Sequence, residues 1–125
     1  MTENPWVKEW LDLAQMDLQA AEHLLTMHPV PVEVICFHCQ QSAEKALKAY
    51  LVSCDMEPPR THDMVELCKM CREKQEDFAQ LEDACAALTV YGVQTRYPSN
   101  LELNEADMQR ALRNCKEVLS HVQKS

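Results

Sequence analysis

The sequence contains almost no glycine, since Gly92 is the one glycine among 125 residues. Tight β-turns need residues that adopt positive φ, and loops that cradle phosphates need several glycines so that backbone amides can reach the ligand. The single glycine therefore excludes a P-loop and a dinucleotide-binding fingerprint, and it argues against a protein built from strands and turns. Alanine, leucine, methionine, glutamate, glutamine and lysine are abundant, and these residues favour helix.

Positive charge is also scarce, and long apolar runs are absent. There are 12 Lys and Arg residues against 20 Asp and Glu residues, which gives a formal net charge of −8. A chain this acidic is poorly suited to gripping long nucleic acid by counterion release, although a small basic pocket on an acidic surface is compatible with it. No stretch of about 18 apolar residues occurs, and the segment MTENPWVKEW lacks the apolar core of a signal peptide. We therefore expect no membrane span and a cytoplasmic location.

Seven cysteines, an odd number, occur without an export signal, which favours free thiols in a reducing compartment. Two pairs, Cys36 with Cys39 and Cys68 with Cys71, have the spacing of half a zinc site. Each pair also falls on the apolar side of a helical pattern, with large residues between the cysteines rather than the small ones of a metal-binding turn. A role as small core residues is favoured over a metal site or a redox pair, and we expect neither a metal nor a cofactor.

The length is that of a single domain, spanning residues 1–125, and six prolines divide it into helical segments. Apolar residues recur at helical spacing between the prolines, and Asp63 and Asn104 are good N-caps for the third and last segments. The predicted helices cover residues 5–27, 32–54, a short stretch from Asp63, 76–95 and a stretch after Asn104. Short connections predict an all-α, up-and-down bundle of about five helices with the second helix at its centre.

The first helix has two unusual features. Its apolar side includes Asp17, and because a buried carboxylate without a partner is costly, Asp17 should lie at a rim or beside a cation. A second apolar flank lies beyond the main stripe, and such a surplus of apolar surface predicts contact with another copy of the chain. This flank comprises Trp6, Leu13, Ala20 and Leu24.

The segment CFHCQQSAEKALKAYL, residues 36–51, is the most informative part of the chain. On a helical wheel its cysteines and aliphatic residues share one side, whereas a polar stripe occupies another. The stripe comprises His38, Gln41, Lys45 and Lys48. It is either a solvated face, on which Glu44 and Lys48 form a weak i,i+4 pair, or a basic surface that holds a ligand.

Two further segments carry candidate polar residues. PPRTHDM places Arg60 and His62 in the turn before the third helix, and YGVQTRYPSN places Arg96 and Tyr97 where the fourth helix stops at Pro98. His62 is equally compatible with a turn residue bonded to backbone, and Arg96 with a cation favoured by the dipole of a helix C-terminus. Two Lys, one Arg and one or two His in one place could hold a phosphate.

Four segments follow one another along the chain: LAQMDLQAAEHLL, CFHCQQSAEKALKAYL, THDMVELC and TRYPSN. In this order they resemble the HEPN domain family (higher eukaryotes and prokaryotes nucleotide-binding), and more closely its small stand-alone prokaryotic members. The resemblance extends over almost the whole chain, from about residue 10 to about residue 122. It implies an up-and-down helical bundle that usually forms a homodimer. It also implies partnership with a minimal nucleotidyltransferase, often as a toxin–antitoxin pair.

Many HEPN proteins are metal-independent ribonucleases that use an Arg and a His separated by about four to six residues, and this sequence departs from that pattern. Arg113 and His121 have seven residues between them, and Arg60 and His62 are too close together. No Arg–His catalytic pair is carried over, and enzymatic activity is not favoured. The polar residues in the matched segments are carried over as a candidate ligand site: Asp17, His38, Lys45, Lys48, His62, Arg96 and Tyr97.

Two functions follow from these residues and the resemblance, and a purely structural bundle is a third possibility. The favoured one is a non-enzymatic module that binds a nucleotide or an RNA end and acts with a nucleotidyltransferase. The alternative is a weak metal-independent endoribonuclease in which His62 or His38 is the general acid/base and Arg96 stabilises the charge of the phosphorane. The binding interpretation predicts that Asp17 holds Arg96 or Lys45 within one pocket of four cations: Lys45, Lys48, His62 and Arg96.

Overall fold

The computed structural model describes residues 4–92 and 103–125. These residues form five α-helices and one 3-10 segment, and they contain no strand. The elements are α1 (Pro5–Leu24), α2 (Val32–Ser53), α3 (Met64–Lys74), the 3-10 segment Glu76–Leu81, α4 (Glu82–Thr89) and α5 (Glu105–Lys124). The prediction of an all-α bundle of about five helices is confirmed. None of these helices is long and apolar enough to cross a membrane.

Polar side chains determine where three of the helices begin. Asn4 accepts a hydrogen bond of 2.9 Å from a backbone N–H group in the first turn of α1. Asp63 accepts hydrogen bonds from two N–H groups in the first turn of α3. Asn104 and Asp107 form a reciprocal capping box at the start of α5. The N-caps predicted at Asp63 and Asn104 are confirmed.

α1 and α2 end earlier than predicted, as α4 also does. α1 stops at Leu24 rather than at residue 27, because the next three backbone N–H groups bond to carbonyls three residues back, as in a 3-10 turn. α2 stops at Ser53, and two residues later Asp55 adopts a positive φ of 61°. Glycine usually takes the left-handed position after a helix, and aspartate is one of the few other residues that tolerate it.

The fourth predicted helix consists of two elements. Its first part, Glu76–Leu81, is a 3-10 segment, in which side chains three residues apart lie above one another. This geometry brings Phe78 and Leu81 to one side, where both are buried. α4 then ends at Thr89, short of the predicted residue 95, because the N–H groups of Tyr91 and Gly92 bond to carbonyls three residues back, as in a 3-10 turn. Residues from 93 onward in the predicted range lie outside the described residues.

The second helix lies at the centre of the core, where it packs against α1, α3, α4 and α5. Its apolar side chains, such as Ala43 and Leu47, are fully buried. Burying one leucine side chain stabilises a fold by roughly 1.5–3 kcal/mol, and truncating it to alanine costs about 2–5 kcal/mol because a cavity remains. Packing against four helices holds α2 in place and gives its polar side a defined geometry.

All seven cysteines lie in the described part of the chain as free thiols, and all but Cys54 are buried. Cys36 and Cys39 lie on the core side of α2, and Cys68 and Cys71 lie on that of α3, as predicted. Burial raises the pKa of Cys36 to about 11, because a thiolate would lose solvation there. Within residues 4–92 and 103–125, no group of three or more His, Cys, Asp or Glu side chains is arranged to hold a metal.

Candidate functional site

The polar side of α2 carries two groups of ionic side chains. The first, the Asp17 cluster, consists of Asp17, His38 and Lys45. The second, the Glu44 cluster, consists of Gln40, Glu44, Lys48 and His62. Both depend on helical spacing, because side chains three and four residues apart project from the same side of a helix.

In the Asp17 cluster, α1 supplies a carboxylate and α2 supplies its two partners. Asp17 Oδ1 lies 3.0 Å from Nδ1 of His38, and Asp17 Oδ2 accepts a hydrogen bond of 2.5 Å from Nζ of Lys45. The side chain of Asp17 is only 14% exposed. A carboxylate this buried needs a charge-assisted hydrogen bond, and Lys45 provides it.

In the Glu44 cluster, a buried carboxylate contacts three polar groups. Nζ of Lys48 donates a hydrogen bond of 3.0 Å to Oε2 of Glu44, and Nε2 of Gln40 donates one of 3.0 Å to Oε1. Nδ1 of His62 lies 2.9 Å from the same Oε1. The side chains of Glu44 and Lys48 are 5% and 9% exposed, whereas that of His62 is 64% exposed. Glu44 therefore anchors an exposed imidazole to the core.

The neighbours of Glu44 determine its ionisation. Burial alone raises the pKa of a carboxyl, because the charged form loses solvation. The hydrogen bonds to Gln40, His62 and Lys48 stabilise the charged form and outweigh the burial, so the pKa of Glu44 lies below its ordinary value. Glu44 is therefore ionised at neutral pH, where it balances the charge of Lys48.

Two glutamines extend the Glu44 cluster along α2 and to the loop before α3. Nε2 of Gln41, which lies on the same stripe of α2 as Lys45, donates a hydrogen bond of 2.8 Å to Oε1 of Gln40. Nε2 of Gln40 also lies 3.4 Å from the carbonyl oxygen of His62. The amide of Gln40 thus contacts both Glu44, which is the partner of the His62 ring, and the backbone of His62 itself.

Each cluster contains a carboxylate–imidazole pair. In both pairs Nδ1 faces the carboxylate, and Nε2 of His38 and of His62 has no hydrogen bond to any residue that the structure describes. A carboxylate at one ring nitrogen holds the ring in one orientation and one tautomer. The other nitrogen then remains available to bind a ligand or to transfer a proton.

The sequence matches the family model for the HEPN domain over residues 7–125, a range that includes every residue of both clusters. The chain belongs to the HEPN family. This HEPN protein is similar to the crystal structure of TT1696 from Thermus thermophilus, with a TM-score of 0.78 and 25% identity over 94% of this chain and 96% of that one. It has the fold of ST0689, an archaeal HEPN homologue, with a TM-score of 0.73 and 23% identity over 94% and 95% of the two chains. No curated protein matches the sequence significantly.

In this HEPN domain five of the seven predicted ligand residues fall into the two clusters. Asp17, His38 and Lys45 contact one another, and the side chains of Lys48 and His62 meet at Glu44. Arg96 and Tyr97 lie outside the described residues. The convergence of Arg96 with the other cations therefore stays a prediction.

Sequence reasoning missed the roles of Glu44 and Gln40. The interpretation of Glu44 and Lys48 as a solvated pair is wrong, because both side chains are buried and Glu44 also contacts His62. Part of the signal was present, since Gln40, Glu44 and Lys48 recur every four residues beside the apolar stripe of α2. The contact with His62 has no local signal, because 18 residues separate it from Glu44.

Proposed function

We propose that this HEPN protein is a non-enzymatic module that binds a nucleotide or an RNA end at the polar side of α2. The phosphate of the ligand would be bound by cations of the two clusters, together with Arg96 and Tyr97. Asp17 and Glu44 would act as positioning residues. The proposal requires no metal and no cofactor.

The observation that carries the proposal is that buried carboxylates hold the candidate phosphate donors in place. Lys45 is bonded to Asp17, and His62 contacts Glu44. A lysine that is free in solvent loses up to about 2 kcal/mol of rotamer entropy when it is immobilised. A donor that is already held loses less on binding, and this favours a ligand site over a solvated face.

Calorimetric titration tests the proposal. The protein should bind a nucleoside monophosphate or a short RNA with a terminal phosphate saturably, and His62→Ala should weaken that binding. His23→Ala is the matched control, because His23 is an exposed histidine on α1 outside both clusters. Absence of binding to every nucleotide and RNA end would overturn the proposal.

A protein partner and a second copy of the chain complete the proposed function. The small stand-alone HEPN proteins that this sequence resembles are associated with minimal nucleotidyltransferases, often in toxin–antitoxin pairs. We expect the same association here, with the HEPN chain as a homodimer. Affinity purification of the tagged chain from its native host should recover a nucleotidyltransferase, and repeated recovery of none would contradict this part.

The two carboxylate–imidazole pairs favour one alternative, a weak metal-independent endoribonuclease. In this alternative His62 or His38 transfers the proton through Nε2, and Arg96 stabilises the charge that develops on the phosphorane. RNA incubated with the protein and a chelator should then be cleaved. His62→Ala or His38→Ala should abolish the cleavage, and His23→Ala should not. Intact RNA in the presence of wild-type protein would exclude this alternative.

A further inference from the structure

A cavity of about 550 Å³ lies beside the Glu44 cluster. It is formed by side chains from the start of α1, the end of α2 and the loop that follows α2. Trp6 and Trp10 come from α1, and Pro58 and Pro59 come from the loop. The volume falls within the range of roughly 300–1,000 Å³ that small-molecule sites occupy.

Lys48 connects the cavity to the Glu44 cluster. Its side chain lines the cavity, its Nζ bonds to Glu44, and the same Nζ lies 5.8 Å from the centre of the Trp10 ring. A molecule in the cavity would therefore lie next to the polar side of α2. Lys48 is thus shared by the cavity and the Glu44 cluster.

Trp6 provides an exposed aromatic surface at this cavity. It is 61% exposed, and its ring has no aromatic contact with any described residue. An indole left in water forfeits the stabilisation that burial of its large apolar surface would supply. A planar ring that stacks on Trp6 recovers that stabilisation, and nucleobases stack on tryptophan regardless of their sequence.

The charged residues of the cavity suit an anion. Arg60 and Lys48 line it together with one carboxylate, Glu57. Lys48 is balanced by Glu44, whereas Arg60 is exposed and forms no ion pair within residues 4–92 and 103–125. An arginine without a carboxylate partner can offer two parallel hydrogen bonds to a phosphate.

We propose that this cavity is the nucleobase subsite of the ligand site, in which the base stacks on Trp6 and Trp10 and Arg60 binds the adjoining phosphate. The inference rests on the proposed function and adds the part of the ligand that the polar side of α2 does not contact. A free mononucleotide and the terminal nucleotide of an RNA present this same chemistry, and the experiment separates them.

Tryptophan fluorescence reports on the cavity directly, because Trp6 and Trp10 are the two tryptophans of the chain and both line it. The probes are the four ribonucleoside 5′-monophosphates, 5′-phosphorylated oligoribonucleotides, and ribose 5-phosphate as a phosphate without a base. A base-bearing probe should quench the fluorescence, and ribose 5-phosphate should not. Quenching by the mononucleotides identifies a free nucleotide as the ligand, and quenching by the oligonucleotides alone identifies an RNA end.

Variants separate stacking from phosphate binding. Trp6→Ala should lower the affinity for a base-bearing probe by about tenfold, the usual contribution of one stacked base. Arg60→Ala should lower the affinity for the same probe but leave the affinity for the unphosphorylated nucleoside unchanged. Arg72→Ala is the matched control, because Arg72 is a half-exposed arginine that is paired with Glu76 and Glu82 on another surface, and it should bind as wild type.

Three results would overturn the subsite. In the first, calorimetry shows that nucleotide affinity is unchanged in both Trp6→Ala and Arg60→Ala but is lost in Lys45→Ala. This result would remove the subsite and leave the proposed function in place. Absence of binding to every nucleotide and RNA end would remove both. If Trp6→Ala converts a dimer to a monomer in light scattering and leaves nucleotide affinity unchanged, the surface is a contact between copies.

Discussion

Gly92, the single glycine of the chain, lies against the side chain of Gln40. A Cβ at residue 92 would be 3.0 Å from Nε2 of Gln40 and 3.3 Å from the carbonyl oxygen of His62. The φ of Gly92 is not positive, so the glycine provides space rather than an unusual backbone conformation. Its missing side chain lets the turn after α4 approach the Glu44 cluster.

Gly92→Ala should destabilise the fold by about 1–3 kcal/mol, the usual cost of overpacking, because Gln40 is fully buried and would have to give up its hydrogen bonds to Glu44 and Gln41 to move away. Urea denaturation measures this change. In the double variant with Gln40→Ala, the shortened side chain makes room for the new methyl group. The two substitutions together should therefore cost less than the sum of their separate effects, whereas strict additivity would show that another contact is responsible.

Asp17→Asn should destabilise the fold by about 1.5–3 kcal/mol, because it removes the charge from a carboxylate that is bonded to Lys45 and His38. Thermal or urea denaturation checks this expectation. Asp12→Asn is the control on the same helix, since Asp12 and Lys8 form an exposed ion pair. Pairs of that kind contribute at most about 1 kcal/mol, so equal losses from the two variants would contradict a special role for Asp17.

Acid should destabilise the fold through Glu44. The pKa of Glu44 in the folded protein lies below its ordinary value of 4.5, which the unfolded chain retains. Between these two pKa values the unfolded state binds more protons at Glu44 than the folded state does. The contribution of Glu44 is therefore fully present above pH 4.5 and is lost as the pH falls through the folded pKa.

Urea denaturation at neutral pH and at about pH 3.5 tests this dependence on Glu44. Glu44→Gln should lose less stability between the two pH values than wild type does. The pKa values of Asp77 and Asp107 are also lowered, and those two carboxyls remain as a common background in both proteins. Identical acid sensitivity of variant and wild type would show that Glu44 is not the responsible group.

Lys45→Ala should weaken nucleotide binding by about 10- to 150-fold, or roughly 1.5–3 kcal/mol, because it removes one charge-assisted contact to phosphate. The variant should also be less stable than wild type, because Asp17 loses its lysine and keeps only its contact with His38, so the titration is made at a temperature at which urea denaturation shows the variant to be folded. Calorimetry measures the affinity, and Lys69→Ala, an exposed lysine on α3, is the control. An unchanged affinity for Lys45→Ala would show that Lys45 does not contact the ligand.

Arg96→Lys should also weaken binding, although it keeps the charge. A lysine cannot offer the two parallel donors with which an arginine binds a phosphate. The same titration measures the effect. Equal affinities of Arg96→Lys and wild type would remove Arg96 from the ligand site.

Exposed apolar residues on α1 predict a homodimer. Leu13 and Met16 are 41% and 65% exposed, whereas Ala20 and Leu24 of the predicted flank are half-buried. Leu13→Glu should raise the dissociation constant of the dimer by about tenfold or more, because an interface carboxylate would be desolvated without a partner. Light scattering measures the mass, and Val65→Glu, at an exposed apolar position on α3, should leave it unchanged. A wild-type monomer at micromolar concentration would contradict the prediction.

Local signals allowed the helices to be predicted from the sequence. Asp63 and Asn104 cap helices because their side chains reach backbone N–H groups only two or three residues away. The core side of α2 could also be predicted from the sequence, because Cys36 and Cys39 are three residues apart and such residues lie on the same side of a helix. The need of Asp17 for a cationic partner could also be predicted, because Asp17 lies on the apolar side of α1. Each of these inferences needs only a few neighbouring residues.

The tertiary structure alone decided which partners the polar residues have. Lys45 meets Asp17 across 28 residues and His62 meets Glu44 across 18, and the cavity at Trp6 forms from three separate stretches of chain. The burial of Lys48 likewise depends on what packs over its side of α2. These distances are set by how the apolar faces of whole helices fit together. No periodicity within a single helix contains that information, because the rotation and offset between two helices depend on the side chains of both.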